Sequence, residues 1–585
     1  MLRIFSGKVE FDASALAASL PASLQNLLTA RVDRLPPPDR ALLQAAAVIG
    51  RRFDPRLLAV VVPETSDIDT RLAAMQALDL VSPEGRSGDY SFKHALVRDA
   101  LYQSLLAAPR SLLHLKIAEE VERRSNNNLL DAAETLAHHY GQTDRSDKAF
   151  RYFSIAGAKS LGVYSFDEAG HHFDAAIALI DRTPGCADDH QLAEMLSNYT
   201  QYTHLTTQYR KTIETVTRFT PRLESVSPNS DYVLIQRNFT HSLLYAARTK
   251  EAQATQASAS ASVSKLSDAR AIAYTLANDL YLSSMLSPKS INEFEAISRE
   301  AIAAAANVND ADLQYYVRFV VGYEAMIRGR TDLVDVAAQE LLSVGRLMND
   351  PRSIGYAMTL RAFTALSSEN FELAIEFAEA GITSARAPLD QENSKIAKLG
   401  ALVFLRRPGA FETFRDSRKQ WAKNGWDFIL DVSDGVWGVA LTIHGEIGAG
   451  IRHIEQSILK RDLEGHRLLA DTSRSYLCAI YLEIISGTER PSAKLLLRNL
   501  PTLLTVMFTA RRRIVCLVHE IQQNPRYDPN GFVIGRCEMY LGLLYKAKKK
   551  RALAFQHLTE AKRIISQFGP TPVLAKIDAA LAEMR

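Results

Sequence analysis

The sequence predicts a mostly α-helical protein: a small N-terminal block with a short β-hairpin, followed by a long array of helical hairpins. Three observations predict it. Small residues recur at fixed offsets from about residue 126 to the end. Turn and stop signals such as Pro36-Pro37-Pro38, Gly50, Gly329 and Gly445 fall between amphipathic segments, where they end helices. A glycine-bearing turn flanked by short strand-forming residues occurs near residues 80–93.

The bulk numbers exclude several classes. A chain of 585 residues that is 47% hydrophobic and 23% charged can bury a large core. Its 69 basic and 66 acidic residues nearly cancel, so no nucleic-acid footprint stands out and no nucleic-acid partner is expected. The basic runs Arg511-Arg512-Arg513 and Lys546 with Lys548 to Arg551 are read as solvated turns and helix faces. Cys186, Cys478, Cys516 and Cys537 lie far apart without a CxxC pair, which suits a reducing cytoplasm and offers no zinc site. Apolar runs such as Leu57 to Val62 are far short of the ~20 residues that span a bilayer, and the first residues lack the long apolar stretch expected of a signal peptide.

Element by element, residues 22–33 set Leu24, Leu27, Leu28, Ala30 and Val32 among polar residues, the pattern of an amphipathic arm helix. Pro36-Pro37-Pro38 ends it. A second helix opens at Asp39 and Arg40, with Leu42, Leu43, Ala46 and Ile49 as its buried stripe and Gly50 as a left-handed stop. Short helices follow near 55–62 and 68–80. Leu80-Val81, the turn Glu84 to Asp89 and the strand Tyr90 to Lys93 then form a two-strand wing. Helices followed by such a wing is the winged-helix order. The candidate recognition helix offers mainly Arg71 and Gln76, too few groups for reading DNA. The helix that leads out of the block carries Arg110 and His114 in structural roles and Leu112, Leu113, Ile117 and Val121 as its apolar face.

The array shows its period in a small residue on one helix and three packing residues twelve, sixteen and nineteen positions later on the next. The sets are Gly157 with Ala169, Phe173 and Ala176; Gly322 with Val334, Ala338 and Leu341; Ala362 with Ala374, Ala378 and Gly381. Gly438 with Gly450, Ile454 and Ser457 follows, and Gly542 with Ala554, Leu558 and Ala561 closes the series. This is the signature of a tetratricopeptide-like α-solenoid, in which each hairpin buries its face only by stacking on its neighbours. Bends are expected at Gly329, Asn370, Gly445 and Lys548–Lys550. At ~34–40 residues per unit the region from Asp131 holds roughly 11–13 hairpins. Ala252 to Leu266 is read as a thin second helix in the register Ser242, Ala254, Ser258, Ala261, and Tyr315, Tyr316 and Tyr323 as core aromatics. The domains are thus a 1–36 arm helix, a 37–125 winged-helix-like domain and a 126–585 repeat array.

The stretches Leu20 to Gly50 and Tyr90 to Leu106 resemble the arm and winged-helix segment that follow the P-loop domain of bacterial STAND-type signalling ATPases, above all those fused to class III adenylate cyclases. Trp437 to Ile458 and the ending FGPTPVLAKIDAALAEM resemble the tetratricopeptide tails of the same proteins. The resemblance implies that the first block docks on an ATPase module. It also makes His94, where the wing meets the next helix, a candidate nucleotide sensor. The sequence begins about twenty residues before the arm, so it reads as a regulatory half without its motor.

No catalytic residue is assigned. The P-loop pattern GxxxxGK[ST] is missing; Gly157 to Ser160 echoes it only inside a helix, and GEIGAG at 445–450 is a repeat turn. HExxH, GxSxG and the kinase set are also missing, and Ser262–Lys265 and Ser457–Lys460 satisfy SxxK without its companion motifs. His138-His139 and His171-His172 are neighbours that point about 100° apart on a helix, so neither pair chelates by itself. No cofactor and no metal are expected. The function that follows is a non-catalytic regulatory and interaction region, cytoplasmic, whose array binds a protein partner or small effector and whose first block works with a separate or upstream ATPase or cyclase module. The alternatives are the tail of a longer adenylate cyclase or ATPase, and a DNA-binding regulator.

Overall fold

The computed structural model describes residues 2–5, 8–11, 32, 34–65, 67–85, 88–125, 128–226, 229–246, 248–262, 268–286, 290–487 and 493–584. The arm helix expected at 22–33 lies outside them, apart from Val32, as does most of Ser262–Lys265. The chain divides into two compact units, Met1–Gln191 and Leu192–Arg585.

In the first unit, β1 (Leu2–Phe5) and β2 (Lys8–Phe11) form an antiparallel pair within the stretch assigned to the arm, with Leu2 opposite Phe11. The run Lys8-Val9-Glu10-Phe11 alternates polar and apolar, the period of a strand. Next come α1 (Pro37–Ile49), β3 (Arg52–Phe53), α2 (Pro55–Val61), α3 (Ile68–Ala77), β4 (Val81–Glu84), β5 (Asp89–Phe92) and α4 (Ala95–Gln103). The helices and the β4–β5 hairpin stand where expected, with Gly85 and Gly88 at positive φ in the hairpin. The short β3 is an addition: it pairs with β5, giving the antiparallel order β3–β5–β4. That strand explains why Gly50 is no left-handed cap. Its φ of +150° and ψ of −169° extend the chain directly into β3, a conformation that suits only glycine. Phe53, Leu58, Leu72, Val81, Phe92 and Val97 make the core.

The unit continues with α5 (Ala107–Arg124), α6 (Leu129–Tyr140), α7 (Ser146–Gly162) and α8 (Phe166–Arg182). On α5 the buried face is His114, Ile117 and Ala118, and Leu112 is exposed, one position off the stripe assigned to it. At the α7–α8 crossing the helices pack so closely that a Cβ on Gly157 would stand 2.6 Å from the Phe173 ring.

The second unit is a right succession of paired helices. Its first half comprises α9 (Asp189–Leu205), α10 (Tyr209–Leu223), α11 (Ser230–Tyr245), α12 (Thr249–Ser262), α13 (Ala269–Met285), α14 (Ile291–Ala306), α15 (Ala311–Ile327), α16 (Thr331–Leu347), α17 (Pro351–Ser367) and α18 (Phe371–Ser384). The second half comprises α19 (Pro388–Phe404), α20 (Ala410–Lys423), α21 (Asp427–Ile443), α22 (Ile447–Glu464), α23 (Arg467–Ser486), α24 (Ala493–Gln522), α25 (Phe532–Ala547), α26 (Arg551–Ile565) and α27 (Pro572–Ala582). The protein is a tetratricopeptide-like α-solenoid over this region, with no strand among the described residues.

The repeat offsets are the packing contacts. Ala374, Ala378, Val334, Ala338, Leu341, Ile454, Ala554, Leu558 and Ala561 are all fully buried, and Gly438 and Gly542 meet Ile454 and Leu558 where a Cβ would not fit. One register was wrong. On α12 the buried positions are Ala252, Gln256 and Ala259, while Ala254, Ser258 and Ala261 face solvent. The anchor on α11 is the fully buried Thr240 and not Ser242 two residues on; both are buried, and size alone did not separate them. Thr240, Gly322 and Ala362 then fall on a step of about forty residues, as against the ~34 of a common repeat. With steps at the long end of the expected range, a 30-residue α24 and α6 and α27 outside any pair, the described residues hold ten hairpins, α7–α8 and then α9–α10 through α25–α26, where 11–13 are expected. Bends fall at Gly329, Gly445 and Lys549, each at positive φ; at the α17–α18 bend Glu369 takes that conformation and Asn370 the position before the helix.

Cys186, Cys478 and Cys537 are buried free thiols, and Cys516 is an exposed one. Among the described residues no helix is long and apolar enough to cross a membrane.

Candidate functional site in the solenoid

The first helix of each hairpin in the second unit faces inward, and together these helices enclose a cavity of about 230 Å³. Its wall is set by residues one turn apart on successive first helices. Arg237, His241 and Tyr245 come from α11, Tyr281 from α13, and Tyr315, Tyr316, Phe319 and Tyr323 from α15. Arg352, Tyr356 and Thr359 come from α17, Phe428, Asp431 and Val432 from α21. Spacings of three and four residues bring such side chains to one helix face.

Arginine and carboxylate pairs fix one side. Arg237 Nη1 donates to Asp312 Oδ2 at 2.5 Å, and Arg352 Nη1 donates to Asp312 Oδ1 at 2.8 Å. The Arg352 Nε also donates to Asp390 at 3.1 Å. Both guanidinium groups lie over rings, Arg237 at 4.2 Å from the Tyr316 centroid and Arg352 at 4.6 Å from that of Tyr315. Burial acts to raise the Asp312 pKa, but Arg237 and Arg352 overcome it and hold the carboxyl down at about 2. At Asp390 burial wins over Arg352, and its pKa is raised. Two cations therefore face two carboxyl groups, and the wall carries no large surplus of either sign here.

Beside them sits a neutral polar cluster. The Tyr316 hydroxyl and Asn278 Oδ1 lie 2.7 and 3.1 Å from His241 Nε2, and the Tyr281 ring packs tilted against the same imidazole at 4.5 Å. His204 follows at 5.4 Å from His241, ring to ring. The Nδ1 atoms of His204 and His241 are buried with no hydrogen-bond partner in the protein, although both residues line the cavity. Burial, with Arg352 and Arg237 adding to it at His204, and with His204 and Arg237 adding to it at His241, pushes both pKa values well below the ordinary 6.5.

This carries a pH dependence. As pH falls below about 6.5 an unfolded chain takes up protons on these two imidazoles that the folded unit refuses, so stability present above that pH is lost below it. Each group contributes a slope of up to ~1.4 kcal/mol per pH unit. The urea midpoint of the second unit's transition is expected to fall from pH 7 to pH 5, and an unchanged midpoint would show that these histidines protonate freely in the fold.

The opposite wall is made where the solenoid returns on itself. Glu324 on α15, almost fully buried, accepts from Arg328 Nη2 at 2.8 Å and from Arg526 Nε at 3.2 Å. Phe532 N donates to Gly329 O at 2.8 Å. Gly329 sits at φ +75°, and a Cβ there would stand 2.7 Å from Val533 N. Residues some two hundred positions apart thus close the coil, and Gly329, Tyr527, Phe532 and Val533 line the cavity at that point.

Tyr315, Tyr316 and Tyr323 are expected in the core; Tyr315 and Tyr316 are buried and Tyr323 half-buried, and all three stand on the cavity wall. His94 is not among the lining residues: it occupies the position before α4, exposed, without a capping bond from its side chain. Arg237, His241, Asp312 and Arg352 were missed. A signal for them exists in Asp268, Asp310 and Asp350, which accept from backbone amides at the starts of α13, α15 and α17, and in Asp390, all at steps of about forty residues.

No family model matches the chain, and no curated protein matches it. Among solved structures, one match is a Rap protein complexed with competence and sporulation factor, at 12% identity and a TM-score of 0.38, covering 61% of this chain and all of that one. Another is a signal transduction ATPase with numerous domains (STAND) protein with a tetratricopeptide repeat sensor from Pyrococcus horikoshii. It has 9% identity and a TM-score of 0.30, and the match covers 97% of this chain and 68% of that one.

Proposed function

We propose that the second unit is a non-catalytic sensor that encloses a compact effector, a small molecule or a short peptide segment, within its solenoid. The observation that carries this reading is the cavity itself, lined by buried aromatic rings and by two imidazoles that each keep an unpartnered ring nitrogen. A packed core has little reason to retain such groups, since an unmade buried hydrogen bond costs about 1–3 kcal/mol. A volume of about 230 Å³ suits a compact ligand and excludes a folded partner from the interior. With Arg237 and Arg352 matched by carboxylates and the rest of the lining largely aromatic and apolar, the wall favours a body that is aromatic or apolar with a few polar atoms, over a multiply charged one.

The first unit is then the transmitting part. Its helix–strand–helix–helix–hairpin order, with the sheet β3–β5–β4, supports the winged-helix reading of residues 37–125. In that reading the block docks on an ATPase module of the STAND type, cyclase-linked or separate, and exposed His94 faces the nucleotide. Effector binding would bias that module only if the effector prefers one state of the array.

The test is thermal stabilisation of the whole chain by a panel of aromatic metabolites and short apolar peptides. A compound that raises the melting temperature of the native chain, and not that of Val432→Trp with its filled cavity, supports the reading. A panel without a shift, or a shift equal in both proteins, counts against it.

A further inference from the structure

The first unit holds a second polar cluster that the sensor reading does not use. His114 on α5 meets His138 and His139 on α6, and one ring nitrogen from each lies within 4.8 Å of the others. His114 and His139 are buried and His138 is exposed. The sequence argument that adjacent histidines cannot chelate holds for the pair alone. His114 of the neighbouring helix adds a third imidazole, its ring 5.7 Å from that of His138 and 5.0 Å from that of His139.

From this geometry we infer a tri-histidine site for a divalent transition-metal ion of the zinc class. His114 Nδ1 and His139 Nδ1 face each other at 2.8 Å. A tetrahedral ion with nitrogens at ~2.0–2.1 Å needs them roughly 3.3 Å apart, a small widening. The Tyr102 hydroxyl is 3.0 Å from His114 Nε2. That is the outer hydrogen bond that fixes a ligating imidazole, directing Nδ1 at the ion. His138, being on the surface, has the freedom to swing the remaining distance, and it leaves the fourth position open to solvent. A donor set of nitrogen alone selects zinc, cobalt or nickel over magnesium and calcium, which prefer oxygen. Arg110 and Arg98, near His114 and His138, oppose any cation there, a cost that the three nitrogen ligands must offset.

The experiment uses the full chain stripped with a chelator and titrated with Co²⁺, followed by its visible d–d absorption and by displacement with Zn²⁺. One equivalent in a tetrahedral environment, displaced by Zn²⁺, is expected. His138→Ala, a surface change that leaves the core intact, should weaken binding at least about tenfold, no less than the loss of an outer-shell partner does. His171→Ala, at an exposed histidine elsewhere in the unit, should leave it unchanged. No saturable uptake, uptake undiminished in His138→Ala, or equal loss in both variants would each overturn the site.

Discussion

Asp312→Ala is expected to destabilise the second unit by about 3–5 kcal/mol, the cost of leaving a buried charge without its partner. The carboxylate accepts from Arg237 and Arg352, and from the Tyr274 hydroxyl at 3.2 Å. The two arginines do not suffer equally. Arg352 keeps Asp390 at 3.1 Å, whereas Asp312 supplies the carboxylate of Arg237, whose side chain is only 2% exposed. Most of the effect should therefore come from Arg237, and the double variant Asp312→Ala with Arg237→Met should recover much of it, because a buried pair replaced by apolar groups is often near neutral. Denaturant unfolding of the four proteins of this cycle measures it. A single-variant loss below about 1 kcal/mol, the worth of an exposed pair, would mean that water reaches Arg237 and that the wall is open.

The same residues show where the sequence was legible. The hairpins could be read because close helix crossings admit only small side chains: at Gly438 a Cβ would stand 2.3 Å from Ile454. Such a constraint leaves a mark at a fixed offset. The cavity leaves none of that kind. Its wall residues are large, polar and aromatic, and Tyr316 or His241 has the same helical spacing as a core residue. What distinguishes them is that the coil closes, and closure depends on contacts such as Glu324 with Arg526 that no local period encodes. The α12 error has the same root: Thr240 and Ser242 are both small, and only the neighbouring helix decides which one is the anchor. The three histidines illustrate the converse, since two were visible as neighbours and the third was noticed only as a structural residue of its own helix.

Glu324→Gln is the second large effect, and it should be local. The carboxylate is 1% exposed and stands between Arg328 and Arg526, themselves 5% and 4% exposed. A neutral amide keeps an acceptor but removes the charge that both guanidinium groups need, at a cost again of about 3–5 kcal/mol. That cost falls on the contact between the α15–α16 bend and residues 526–532, where the closure also includes the Gly329–Phe532 backbone bond, Arg328 Nη1 donating to Arg526 O at 3.1 Å, Arg526 Nη2 donating to Ser284 Oγ at 3.1 Å and the Arg330–Asp528 pair at 3.5 Å. Apart from the Ser284 hydroxyl on α13, which donates to Glu324 at 2.5 Å, helix packing on either side rests on apolar contacts, so the coil should open there before any hairpin melts. Helical circular dichroism is then expected to stay at its native value while amides near Gly329 and Phe532 lose hydrogen-exchange protection. Since Tyr527, Phe532 and Val533 form the cavity wall at this point, an opened coil also loses effector-induced stabilisation, with the Asp312 side of the site intact. If exchange instead rose uniformly along α9 to α27, the contact would be one bond among many in a single cooperative unit. If exchange did not rise at all, Glu324 would not be what holds the coil closed.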